Sequence, residues 1–128
     1  MISRSDPPSE TGLKKYPRIT IHGQPPSKSN ERGIRDGKYF VPKVVKDYTQ
    51  SFMLQCRLRG ANISRRFRLA LDVFYRSDRP DLDNALKGTL DALQSCGAIK
   101  NDRLCIEIHA RKFIDKEDPR IEFEIEEI

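Results

Sequence analysis

The chain has 128 residues, 34% of them charged and 37% hydrophobic, with a formal net charge of +5. That is enough chain for one domain with a single buried core. No run approaches the roughly 20 apolar residues that a membrane span needs. The opening MISRSDPPSETGLKKYP lacks the apolar segment of a secretory leader, so none is expected. Charge is unevenly spread: residues 115–128 hold seven acidic side chains against two basic ones, which leaves a strongly basic body. A basic body suits a polyanion such as nucleic acid, although an ordinary basic surface gives the same count. Three cysteines, Cys56, Cys96 and Cys105, occur without a CxxC pair, and the histidines are His22 and His109. Such a set argues against a disulfide framework and a zinc site, and it fits a reducing cytosol.

In chain order, residues 1–17 are expected to form a flexible extension, and residues 18–128 the folded domain. RITIHG (18–23) alternates apolar and polar residues and is expected to be a strand. The Pro-, Gly- and Lys/Arg-rich segment after it reads as a loop with a small hairpin at Asp36-Gly37. Val45, Tyr48, Phe52 and Cys56 recur at helical spacing, predicting a helix from Lys43 to about Arg59 that stops near Gly60. RFRLALDVFYR (66–76) places Phe67, Leu69, Leu71, Val73 and Tyr75 on one face of a strand. A second helix is predicted from Asn84 to Ser95, with Leu86, Leu90 and Leu93 inward and Gly97 just past its end. Two strands close the chain. RLCIEIHARKF (103–113) turns Leu104, Ile106, Ile108 and Ala110 inward, and RIEFEIEEI (120–128) turns Ile121, Phe123 and Ile125 inward with its glutamates outward. The order predicts an α/β fold of the α+β type. It is a single domain in which a mixed sheet of about four strands carries two main helices on one face.

The chemistry concentrates in RPDLDNALKG (79–88). An aspartate at a helix start satisfies exposed N–H groups and suits the positive end of the helix dipole. Two aspartates flanking Leu82 exceed what one cap needs, and a carboxylate metal site stands as the second reading. Lys87 follows Asp83 by four residues and shares its helix face. It is either half of a surface ion pair or a cation beside a metal site, placed to touch a phosphate. Asp102, in IKNDRL, joins Asp81 and Asp83 only if the strand that follows it returns alongside them. Three carboxylates without a useful histidine favour a hard divalent cation such as Mg²⁺, with Mn²⁺ as a possible substitute. Such an ion would activate a water and stabilise charge on a phosphate.

The segment RPDLDNALKGTLDALQSCGAIKNDRLCIEIHARK resembles the core motif of RusA-type Holliday junction resolvases: D-x-D-N, a following lysine, DAL, a glycine, then an Asp-containing turn and a strand ending in basic residues. IHGQPPSKSN and GKYFVPKVVKDY resemble earlier parts of the same family, in the same order. The resemblance implies a Mg²⁺-dependent endonuclease of recombination and repair that binds four-way DNA junctions as a homodimer and nicks opposing strands symmetrically. It implies that Asp81, Asp83 and Asp102 hold the metal and that Lys87 is the active-site lysine. Asn84 and Asp91 also match the motif, and Asp91 is placed to pair with Lys87. Expected DNA contacts are Arg32, Arg35, Lys38, Tyr39, Arg76, Arg79, Lys100 and Lys112, which grip shape and backbone charge more than base sequence. No small-molecule cofactor and no membrane partner are expected, and the location is cytoplasmic, at the nucleoid. Three departures stand out. Asn101-Asp102 replaces a common Asp-Asp, Pro80 stands where some members have arginine, and the N-terminal extension has no counterpart. Competing readings are a non-catalytic DNA-binding module on the same fold and a nuclease that prefers flaps or forks.

Overall fold

The computed structural model describes residues 12–26 and 33–128. Six strands and two helices follow in the order β1 (Ile19–His22), β2 (Gly33–Arg35), β3 (Lys38–Phe40), α1 (Lys43–Gln55), β4 (Phe67–Tyr75), α2 (Leu82–Ser95), a 3₁₀ turn (Asp102–Leu104), β5 (Cys105–Ile114) and β6 (Arg120–Glu127). The main sheet has the strand order β1-β6-β4-β5. β6 runs antiparallel to β1 and β4, while β5 runs parallel to β4. This is the expected mixed four-stranded sheet with two helices. The small hairpin forms where Asp36-Gly37 predicts it, and both residues adopt the positive φ (53° and 76°) that a two-residue type I′ turn demands.

Alternation in the strands divides the sheet into two unlike faces. Leu69, Leu71, Val73, Ile121, Phe123, Ile125, Ile19 and Ile21 are buried with Phe52 of α1 and Ala85, Ala92 and Leu93 of α2. Phe52 stacks on Phe123 with ring centroids 6.1 Å apart. The other face is a ladder of charge. The Arg18 guanidinium bonds Asp72 at 2.8 Å and Glu122 at 2.9 Å, and Arg111 reaches Asp72 from the opposite side at 3.0 Å. Arg68 joins Glu107 of β5 to Glu126 of β6. Glu122, Glu124 and Glu126 of β6 point outward as expected, but they lie on an inner strand of the sheet among arginines, and Glu127 falls on the inward parity and is buried. Lys14–Tyr16 run beside the end of β6 through Tyr16 N–H to Ile125 O, Glu127 N–H to Lys14 O, and Tyr16 Oη–H to Glu127. Residues 1–11 of the extension lie outside the described residues.

Three boundaries differ from the sequence reading. α1 ends at Gln55, because Cys56 turns to an extended conformation and sends itself and Leu58 into the core. α2 starts two residues early, at Leu82. Its far end closes as expected through Gly97 at φ 73°, with Ala98 N–H bonded to Leu93 O. The third difference is β5. Leu104 falls in the 3₁₀ turn before it, and Ile106 and Ile108 are 53% and 40% exposed. Ile108 pairs with Leu69 and Ala110 with Leu71 on the core face, whereas Ile106 falls at a register shift between Phe67 and Arg68, and β5 is the sheet's outermost strand.

The charge ladder sets an acid limit on stability. The Arg68 guanidinium, helped by His109, holds the Glu107 carboxyl down at about 2. Burial alone would raise Asp72, but Arg111 and Arg18 outweigh it and hold its carboxyl below the ordinary value. A carboxylate whose pKa is depressed by folding stabilises the fold above its unfolded-state pKa and loses that contribution as pH falls through the folded value. Urea midpoints are therefore expected to stay level down to ~pH 5 and then fall progressively toward ~pH 2. Glu107→Gln should flatten the lower part of that fall, and an unchanged acid profile in this variant would show that the ladder carries no such linkage.

Candidate active site

The aspartate pair sits where β4 hands over to α2. Tyr75, the last residue of β4 and fully buried, donates its hydroxyl to the Asp81 carbonyl at 3.0 Å. Burial, with the charges of Asp81 and Asp83 beside it, pushes the Tyr75 hydroxyl up to about 12, so it stays a proton donor at working pH. From the other side, Lys112 Nζ donates to the carbonyls of Asp78 and Pro80 at 3.2 Å each and pairs with the Asp78 carboxylate. The peptide that presents Asp81 is thus held from both flanks. Asp81 occupies the N-cap position of α2, yet its side chain makes no cap hydrogen bond. Asp83 lies in the first turn, and both carboxylates are exposed. The cap reading of this stretch therefore fails at the atom that would have made the cap, and the pair is left facing solvent at the positive end of a helix.

Lys87 follows one turn along α2 and is exposed. Among the described residues it forms no ion pair, although its charge acts on Asp91 one turn further on. Burial raises the Asp91 carboxyl, Lys87 lowers it and Asp102 raises it again. Asp91 is thus the link between Lys87 and Asp102 along one side of the helix.

Asp102 does not reach the pair within one chain. Its N–H bonds Gln94 Oε1 at 2.9 Å, at the C-terminal end of α2. Asp83 and Gln94 are separated by roughly 17 Å of helix at 1.5 Å per residue. The strand after Asp102 does return alongside, as the sequence reading required, but it carries Lys112 to the pair and leaves Asp102 at its start. No group of three or more Asp, Glu, His or Cys side chains is placed to hold a metal among the described residues. The donors at the pair are hard oxygens, and they fit a cation that keeps most of its own waters and takes few protein ligands.

The expected DNA contacts scatter around this centre. Arg76 and Arg79 flank the loop before Asp81 and are exposed. Lys100 is exposed near the Asp102 end, with its N–H bonded to Ile63 O. Arg35, Lys38 and Tyr39 project from the hairpin, where Arg35 lies over the Phe40 ring at 5.1 Å. Lys112 is engaged with the 78–80 loop, and Arg32 lies outside the described residues. Sequence reasoning missed Tyr75 and Gln94 as positioning residues. Tyr75 alone carried a signal, being the one hydroxyl in the apolar face of its strand.

Removal of the Tyr75 hydroxyl tests the hold on Asp81. Tyr75→Phe is expected to lower stability by about 1 kcal/mol, read by urea denaturation, and to speed amide exchange at residues 81–83. Unchanged exchange there would show that Lys112 and Pro80 suffice.

The model of the endodeoxyribonuclease RusA family matches residues 22–126. That span contains Asp81, Asp83, Lys87 and Asp102. A crossover junction endodeoxyribonuclease RusA of Aquifex aeolicus (strain VF5) is 32% identical over 97 residues, covering 72% of this chain and 76% of that protein. The aspartate pair held by Tyr75 and Lys112 at the head of α2 therefore lies within the matched core, and the chain belongs to the RusA endodeoxyribonuclease family.

Proposed function

We propose that this protein is a structure-selective endonuclease that resolves four-way DNA junctions by paired symmetric nicks, in recombination and repair. The observation that carries the reading is the fixed, exposed Asp81–Asp83 pair with Lys87 one turn away. Asp81 and Asp83 would hold a Mg²⁺ ion, with Mn²⁺ as a substitute. When bound, such an ion supplies neutralisation of phosphate charge and a more acidic water. The protein's own part is positional. Tyr75 and Lys112 keep the Asp81 backbone from moving as a phosphate approaches, and Lys87 Nζ can donate to a phosphate oxygen without first giving up a carboxylate partner. Arg76 and Arg79 on the adjoining loop, and the basic hairpin, would grip the backbone on either side.

Asp102 enters this reading through a second copy of the chain. Among the described residues β5 leaves its outer edge unpaired, with Ile106 and Ile108 exposed beside it. An edge of this kind invites pairing with its own copy. A two-fold axis makes that pairing antiparallel. The start of one β5, with Asp102, then lies beside the end of the other, which Lys112 ties to the loop before Asp81. Each site would draw its pair from one subunit and its third aspartate from the other. The two sites would face equivalent strands of a two-fold symmetric junction.

Mixed dimers test this arrangement. Asp83→Asn and Asp102→Asn are each expected to abolish cutting of a synthetic junction while leaving binding intact. Co-expressed as mixed dimers they should recover single-strand nicking, because one composite site then carries both defects and the other carries none. Mixed dimers without activity would place all three aspartates in one chain's site. Cutting of flaps or linear duplex in preference to junctions would overturn the substrate, and cutting without added metal would overturn the role of the pair.

A further inference from the structure

A cleft of about 270 Å³ opens between α1 and α2, on the side of α2 that carries Lys87. Its walls are Pro25, Pro26, Val45, Tyr48, Ala85 and Ala92, and its polar margin includes Thr49, Lys87, Asp91 and Ser95. The size falls just below the roughly 300–1,000 Å³ of drug-sized ligand sites. That is room for one planar ring system, and too little for a peptide or a helix.

Two features of the cleft are unexplained by folding. The Tyr48 hydroxyl is buried without a hydrogen-bond partner among the described residues. Burial, with Tyr75 nearby, pushes its ionisation well above the ordinary tyrosine value, so it remains a donor. A buried polar atom left unpaired is costly and calls for an occupant with an acceptor. The second feature is Gly88, which lies inside α2 and lines the cleft. A glycine there weakens the helix by roughly 0.5–1 kcal/mol relative to alanine. Among the described residues, a Cβ built on Gly88 meets nothing within 4 Å, so none of them requires the glycine. What the glycine preserves is open space against the helix backbone.

We infer that the cleft receives a single unstacked nucleobase of the DNA substrate, next to the phosphate that Lys87 would contact. This rests on the nuclease reading and names what its site holds beside the phosphate. Flat proline, alanine and tyrosine surfaces suit the face of a base, and the polar margin suits its edge. Sequence-tolerant stacking of this kind is a common mode of single-strand recognition. Base extrusion is least costly where pairing is already broken, as at the crossover of a junction. Lys87 belongs both to the cleft and to the face of α2 that bears Asp83, so a base in the cleft and its own phosphate at Lys87 are a single nucleotide's reach apart.

The test uses the full chain with a non-migrating four-way junction carrying 2-aminopurine at successive positions beside the crossover, with Ca²⁺ in place of Mg²⁺. Emission is expected to rise several-fold at one position on binding. Gly88→Leu, which fills the cleft with a better helix former, should return that position to the emission of the free junction while junction affinity stays within a few-fold. Gly88→Ala should keep most of the rise. Either no position brightening with the wild type, or equal brightening with Gly88→Leu, overturns the inference. Cutting of the unlabelled junction in Mg²⁺ reads the nuclease assignment separately: brightening without cutting leaves the cleft in place and removes the nuclease.

Discussion

A strand that pairs in parallel with the one before it must begin at the edge where that strand began. β4 and β5 obey this rule, with Phe67 beside Cys105 and Tyr75 beside Ile114. The chain leaving β4 therefore crosses the whole length of the sheet as α2 before β5 can start. Everything about the site follows from that crossing. The residues that open α2 lie at one end of the sheet and those that open β5 lie at the other. Asp81 and Asp83 are thereby parted from Asp102, while the far end of β5, with Lys112, comes back to the loop before Asp81. Under the proposed reading, the halves of the three-carboxylate site stand at the two ends of α2 and would meet when two copies pair along β5.

The same sheet resolves the puzzle of the charge distribution. The acidic C-terminal stretch looks like a tail that would repel DNA. It is instead β6, an inner strand, with Glu122 and Glu124 bonded to Arg18, Glu126 to Arg68 of β4, and Glu122 also to Arg120 of β6 itself. Exposed pairs of this kind contribute little singly. Asp72 is different, because it is largely buried and held by two guanidiniums, and loss of either would leave charge stranded in the sheet. With the glutamates neutralised in place, the basic side chains of the hairpin and of the 76–79 loop are left to set the outward field.

Most of the elements were legible in the sequence because each carries its own period. Alternation in RFRLALDVFYR and RIEFEIEEI marks strands, and Asp36-Gly37 marks a hairpin, without any knowledge of the rest. What local pattern could not show was strand order, and with it the placement of Asp102. Nothing in IKNDRL records that the following strand pairs parallel to β4. The burial expected of Ile106 and Ile108 failed for a related reason, while Leu104 and Ala110 do pack against the core. Alternation tells which residues share a face, but not which strand forms the sheet's edge or where its register shifts. The cap reading of Asp81 failed more locally. A tyrosine hydroxyl six residues back takes the Asp81 carbonyl, and the Asp81 side chain is left without the backbone bond that a cap would make.

Along α2, Asp83, Lys87 and Asp91 stand at four-residue spacing, so one lysine lies between two carboxylates on one side of the helix. The expected outcome of such spacing is an ion pair, yet among the described residues Lys87 forms none. Its charge acts on the Asp91 carboxyl without an ion pair to either neighbour. A lysine locked in a short pair would have to break that pair before serving a phosphate, and the phosphate would gain only the difference. A lysine outside any such pair can donate to the phosphate outright. The acidic neighbours make the surface look hostile to DNA, yet they leave this cation outside any ion pair, at the point where the cleft beside Gly88 opens.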